Sequence, residues 1–313
     1  MKLKVGTRGS KLSVAQTQLV LDELKKVHDS IEFEIVTIKT KGDTDARPLY
    51  TIDRRGIFEK EIDAAVQDRR VDFAVHSLKD IPSLLPEDLV IASIPKRESP
   101  CDVFVNETKV KLKDITSGSV IGTSSLRRAV QITRIRPDVT VKPIRGNVET
   151  RVNKMAKKEF DAVVLAEAGL KRLGLDDVIV ERFPVEDFVP SPGQGAMAIV
   201  SRDDDQELIK ILKKIDDSKS RAEVTAERAL LLHINAGCRF PLGALGSANA
   251  SKLELSASVY SIDGKERIDV RKSGSMDNAE NLGTIVAKEL EEKGAMKLAS
   301  LWRDAVDEWS AKK

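Results

Sequence analysis

The strongest constraint on this chain is an alternation. Short β-branched runs take turns with amphipathic stretches: KLKVGT, then Ser10 to Val27, then FEIVTIKT, then Phe58 to Gln67, then VDFAVH. A strand-like period that repeatedly gives way to a helical one is the pattern of an α/β unit. A second series starts near Cys101 with DVFVN, SVIGTSS, TVKPI and FDAVVLAEAG, interleaved with helical patterns such as Glu149–Lys158 and Glu167–Leu173. Two α/β domains are therefore predicted. GAMAIVSR, Gly195–Arg202, reads as one more buried strand with a helix over Gln206–Ile215 behind it. Periodicity does not decide which domain it joins.

After Asp216-Asp217-Ser218 the rhythm changes. A helix over Arg221–Ile234 leads into the turn LLLHINAGCRFPLG, and LELSASVYS and ERIDVRKSGS then pair across Ile262-Asp263-Gly264 as a predicted hairpin. Helices over Ala279–Glu292 and Met296–Glu308 close a smaller α+β domain. A length of 313 residues suits two or three domains at about 100–200 residues each.

Composition excludes several function classes. Hydrophobic content of 41% without a long apolar run, and no charged-then-apolar leader, point to a cytoplasmic protein with no membrane span. Two distant cysteines, Cys101 and Cys238, and three histidines suggest neither a zinc site nor a disulfide framework. Fifty-two Lys+Arg against 50 Asp+Glu leave +2, and aromatics make up only 4%, poor material for a nucleic-acid face. Any anion site must be local.

Arginines stand where strands hand over to helices: Arg8 in GTRGS, Arg127 and Arg128 in GTSSLRR, Arg145 in IRGN, Arg151 six residues on, and Arg172 in AGLKR. Ligands of open α/β sheets bind outside the carboxyl ends of strands. Helix N-termini there offer unpaired N–H groups, and arginine adds a bidentate fork for carboxylate or phosphate. Taken singly, each arginine reads equally well as a surface ion pair worth at most about 1 kcal/mol. Five such turns, with Gly6, Ser10, Ser124, Ser125 and Gly146 allowing close approach, favour a shared polyanion site. No GxxxxGK[ST] or GxGxxG follows a strand, which removes the usual nucleotide signatures.

VDFAVHSLKDIPS ends a buried strand at His76 and presents Ser77, Lys79 and Asp80. A carboxylate beside a lysine stays ionised, and in a cleft it can stabilise a cation and exchange protons. Considered alone, Asp80 reads more simply as a helix N-cap, and His76 as a packing histidine. Cys238, after Gly237 and beside Arg239, is a candidate nucleophile or attachment point, because a turn and a neighbouring cation favour exposed thiolate. Lys39 to Gly56, KTKGDTDARPLYTIDRRG, is either a binding loop or a solvated surface loop.

Together these stretches resemble the porphobilinogen deaminase (hydroxymethylbilane synthase) family. GTRGS, TKGD, GIFEKEI, AVHSLKDIP, IGTSSLRR, IRGNVETR, LAEAGLKRLG, PGQGA, TAERALL and GCRFPLG occur in the family's order over essentially the whole chain. The resemblance implies two periplasmic-binding-protein-like domains with mixed sheets, 1–97 with 195–217 and 98–194. A smaller α+β domain, 218–313, would carry the cysteine. It also implies a dipyrromethane primer joined to Cys238 by a thioether. Lys79, Ser125, Arg127, Arg128 and Arg145 would hold the primer's carboxylates, and Asp80, facing the pyrrole nitrogens, would be the catalytic group. Arg8, Gln16, Arg145, Arg151 and Arg172 would bind porphobilinogen or the growing chain. Asp80 would assist loss of ammonia and stabilise an azafulvenium-like cation. No metal, nucleic acid or membrane partner is implied, and the expected state is a monomer.

The sequence departs from the family in three places, one of them Lys41-Gly42-Asp43 for the usual Arg-Gly-Asp. Asp53-Arg54-Arg55-Gly56-Ile57-Phe58 replaces the usual Gly-Gly-Lys-Gly-Leu-Phe of the loop over the active site, which implies a stiffer lid, and Ser10-Lys11 replaces Ser-Pro. The alternative from the residues alone is a non-catalytic cytoplasmic anion-binding protein of the same architecture.

Overall fold

The computed structural model describes residues 1–40, 59–235, 240–302 and 304. Cys238 and most of the Lys39–Gly56 loop lie outside them. Thirteen strands are described: β1 (Lys2–Arg8), β2 (Glu32–Ile38), β3 (Phe73–Ser77), β4 (Leu89–Ser93), β5 (Asp102–Asn106), β6 (Val120–Thr123), β7 (Thr140–Pro143), β8 (Ala162–Ala166), β9 (Ile179–Arg182), β10 (Met197–Arg202), β11 (Leu242–Asn249), β12 (Lys252–Tyr260) and β13 (Arg267–Ser275).

They form three sheets. The first runs β2-β1-β3-β10-β4, and the second β7-β6-β8-β5-β9. In the first, β1 is parallel to β2 and β3 while β10 runs antiparallel to β3 and β4. In the second, β6 is parallel to β7 and β8 while β5 runs antiparallel to β8 and β9. The two mixed sheets thus share one topology, and each takes its antiparallel strand from just after a crossover. That strand is β5 after the first crossover and β10 after the second, so GAMAIVSR returns to the first sheet.

Both faces of each mixed sheet are covered, which is why inner strands such as FAVHS, AVVLA and MAIVSR are mostly apolar. Along β5, Val103 and Val105 enter one core and Phe104 the other. Along β3, Phe73 and Val75 pack under the Lys11–Val27 helix side, while Ala74 joins Ile62 and Val66 of the Lys60–Gln67 helix. The third sheet is an antiparallel meander, β11-β12-β13. One core joins it to the Ser218–Ile234 and Ala279–Glu292 helices. The C-terminal pattern gives a short helix, Ala295–Leu298, rather than the continuous one expected from Met296.

The crossovers run side by side. The Glu98 amide donates to the Gly195 carbonyl (3.3 Å), and Arg97 Nε to the Gln194 carbonyl (2.9 Å). Gly195 has φ +87°, and a Cβ there would sit 2.3 Å from the Glu98 oxygen. Gly195→Ala should therefore destabilise the protein by about 1–3 kcal/mol in urea unfolding. Gly174→Ala, also at positive φ but with open space around it, should cost less. Equal losses would contradict a tight crossover.

Candidate functional site

The candidate residues cluster where parallel strands end. β3 runs into a 3-10 turn, Leu78–Asp80, so Asp80 closes a turn and caps no helix, unlike the simpler sequence reading. No hydrogen bond or ion pair from a described residue engages its exposed carboxylate. His76 is buried 3.3 Å from Asp63 and takes no part in the cluster. Gln16, buried on the Lys11–Val27 helix, donates to Ser77 Oγ (2.9 Å).

Across the cleft, β6 leads into the Leu126–Ile135 helix, with Ser125 at its N-cap. The Ser125 side chain makes no capping bond, so its hydroxyl is left for a ligand. Arg127 and Arg128 follow in the first turn, both buried. Burial of two guanidinium groups requires a counter-charge, and Asp102 at the head of β5 supplies it. Arg127 Nη1 lies 2.8 Å from Asp102 Oδ2, and Arg128 Nη2 lies 2.7 Å from Oδ1. Burial alone would raise the Asp102 carboxyl, but the charges of Arg127 and Arg128, with hydrogen bonds from Arg127 and Gln194, outweigh it and hold it at about 2. Arg127 Nη1 also donates to the Val189 carbonyl (2.6 Å), while its buried Nε has no hydrogen-bond partner.

Gln194, wholly buried in the second crossover, ties the two sides together. Its Nε2 donates to Asp102 (2.9 Å) and the Pro100 carbonyl (2.7 Å), and its Oε1 accepts from Lys79 and Arg128 (3.3 Å each). Sequence reasoning missed both Asp102 and Gln194. The available signals were an acid heading a wholly apolar strand and a polar residue between two glycines.

Lys79, Gln16, Arg128, Arg151 and Arg172 line one cavity of about 80 Å³. Arg151 Nε donates to the Gly146 carbonyl (2.8 Å) and Arg172 Nη2 to the Gly195 carbonyl (2.6 Å), so both are fixed by backbone rather than by carboxylates. Burial lowers both to about 10; for Arg151 repulsion from Arg128 and Arg145 adds to it. Lys79 is lowered to about 8, first by burial and then by Arg128. Arg8 ends β1 and Arg145 follows β7, and neither lines this cavity. Asp80 lines a second, larger cavity that also includes Lys79. Among the described residues, no group of three or more His, Cys, Asp or Glu could hold a metal, and no helix is long and apolar enough to cross a membrane.

Two buried guanidinium groups thus share one buried carboxylate, with Lys79, Arg151 and Arg172 half-buried beside them, and positive charge is in excess. The family described as "Porphobilinogen deaminase, dipyromethane cofactor binding domain" matches residues 3–210, and "Porphobilinogen deaminase, C-terminal domain" matches 221–292. The chain belongs to the porphobilinogen deaminase family. The "Probable porphobilinogen deaminase" of Nitrosopumilus maritimus is 57% identical over 310 residues, covering 99% of each chain. The "Porphobilinogen deaminase" of Desulforudis audaxviator is 44% identical over 292 residues, 93% of this chain and 94% of that one. The BvgS VFT2 domain of Bordetella pertussis resembles 69% of this chain over 85% of its own, at 16% identity and a TM-score of 0.40.

Porphobilinogen deaminases are enzymes of tetrapyrrole synthesis, so the non-catalytic alternative is not favoured. The dipyrromethane named for the matched domain bears an acetate and a propionate on each ring. Arg127, with its unpartnered Nε, and the uncapped Ser125 fit such a group. Lys79 generates a pH prediction. Its ammonium should titrate near pH 8 in protein lacking bound anions, instead of its ordinary 10.5. Labelled lysine NMR on the Cys238→Ser protein checks this. A midpoint above 10 would contradict burial of Lys79 beside Arg128.

Proposed function

We propose that this chain is a transferase that condenses four porphobilinogen molecules head to tail on a covalent dipyrromethane primer. Four porphobilinogens and one water give hydroxymethylbilane and four ammonia molecules. The observation that carries the reading is the meeting of an exposed carboxylate, Asp80, with a buried cation cluster at the ends of two like sheets. When bound, the primer would supply the free pyrrole carbon to which the first unit is joined, and each later unit would join the ring added before it.

The residues divide the work by chemistry. Lys79, Ser125, Arg127, Arg128 and Arg145 hold primer carboxylates. Arg8, Gln16, Arg145, Arg151 and Arg172 hold those of the incoming substrate. Bidentate guanidinium groups orient carboxylates as well as attract them. Asp80 lies in the field of Lys79 and Arg151. Its carboxylate is the proposed stabiliser of the positive charge left on the substrate's methylene carbon as ammonia departs. The same carboxylate then takes up the proton released when the new bond restores the ring.

Cys238 is the proposed thioether anchor. Three residues earlier, Asn235 ends the Ser218–Ile234 helix in the left-handed conformation at φ +50°, and two residues later Phe240 is buried in the core of the third sheet. Both ends of the turn are therefore fixed within a few residues of the thiol. The proposed units are 1–97 with 195–217, 98–194, and 218–313. The first division is supported by the pairing of β10 with β3 and β4. A cytoplasmic monomer is the proposed working state, with no nucleic-acid or membrane partner.

Asp80→Asn should keep the thermal midpoint and the primer mass while lowering turnover by about 10²-fold or more, the scale of a lost general acid–base group. Steady-state assays with intact-mass analysis check this. A rate within twofold of the unsubstituted protein would contradict the assigned role.

A further inference from the structure

The cavity of about 80 Å³ among the arginines has room for only a few waters, at about 30 Å³ each. A chain growing by four rings needs other space. A second cavity, of about 1120 Å³, opens between the Lys60–Gln67 helix, the segment after β3 and the Ser218–Ile234 helix. That volume lies just above the range of about 300–1,000 Å³ typical of sites for drug-sized ligands.

Three observations bear on what it takes. First, Lys79 and Asp80 line one side of it and Asn235 another, so it reaches from the catalytic turn to the helix end three residues before Cys238. Second, Leu84 is 66% exposed and Leu232 42%, giving apolar walls suited to flat rings. Third, Arg228 lines it as a half-buried guanidinium that, among the described residues, pairs with no carboxylate. Its Nη2 donates to the carbonyls of Pro82 (3.0 Å) and Ser83 (2.9 Å), which leave its positive charge uncompensated. Burial is the one cause that lowers its pKa. On the facing helix Glu61 also lines the cavity and can accept hydrogen bonds, while Asp63 faces His76.

We propose that this cavity receives the elongating polypyrrole chain and that Arg228 binds its carboxylates once the early units have been added. The inference rests on the function proposed above. It differs from a purely positioning role, in which Arg228 would act only by holding the carbonyls just after Asp80.

The test is a single-turnover reaction of the full chain with limiting porphobilinogen, read by intact mass at successive times, for the unsubstituted protein, Arg228→Leu and Arg228→Lys. Arg228→Leu should carry the primer, and its own first addition is the reference for the later ones. Later additions should slow about tenfold, the scale of one charge-assisted hydrogen bond, so that partly elongated species accumulate. Arg228→Lys should restore much of the later rate. Equal slowing of every addition, or an unchanged distribution of species, would overturn the subsite. If Arg228→Leu fails to fold, Arg228→Lys with every addition slowed equally would overturn it too. An unsubstituted protein that carries no primer or adds no unit would overturn the proposed function itself, a result separable from either of these.

Discussion

One buried carboxylate holds the cation cluster in place. Asp102 sits at the head of β5 with no solvent exposure, and the guanidinium groups of Arg127 and Arg128 converge on its two oxygens. Without it, two buried positive charges would face each other in the first turn of the Leu126–Ile135 helix, and removing one partner of a buried pair costs about 3–5 kcal/mol. With it, both arginines are locked in place before any ligand arrives, so little side-chain entropy is lost on binding. The sign of the linkage is that of a lowered acid. The contribution of Asp102 is complete above its ordinary 3.8 and disappears as pH falls through about 2.

The same carboxylate accepts from Gln194, which carries the arrangement across the crossover to Lys79. Behind that crossover lies a second buried node. Glu227 receives both Nη groups of Arg97 (2.7 and 3.2 Å) and the amides of Gly193 (2.5 Å) and Gly246 (2.7 Å). One residue further along the helix, Arg228 holds the carbonyls just after the Asp80 turn. The Ser218–Ile234 helix is thus fixed to the crossover and to the segment just after the Leu78–Asp80 turn together. A third link runs from Tyr260 on β12 to Gln131 (2.8 Å), whose side chain grips the backbone of Val189. The Ser218–Ile234 helix and β12 are therefore both registered against the walls of the cleft.

Much of this was legible in the sequence because its causes are local. Alternating periods specified the α/β units, and the strand-end arginines followed from where such sheets bind ligands. β4, β9 and β11 were not expected. LVIAS and IVER are short, and LGALGSAN carries two glycines where a strand usually carries branched side chains. Asp102 escaped notice because an acid at a strand end ordinarily faces water, and only the packing of the Leu126–Ile135 helix buries it. The pairing of Arg127 and Arg128 with Asp102 is likewise tertiary, as is the large cavity beside Asp80.

The central claim is that the cation cluster exists to hold a polyanion tethered at Cys238. The most direct measurement is the intact mass of the purified, denatured protein beside Cys238→Ser, with peptide mapping of any adduct. The expected result is a mass excess equal to dipyrromethane, mapped to Cys238 and missing from the variant. An unmodified Cys238 that neither porphobilinogen nor preformed hydroxymethylbilane can load would contradict it.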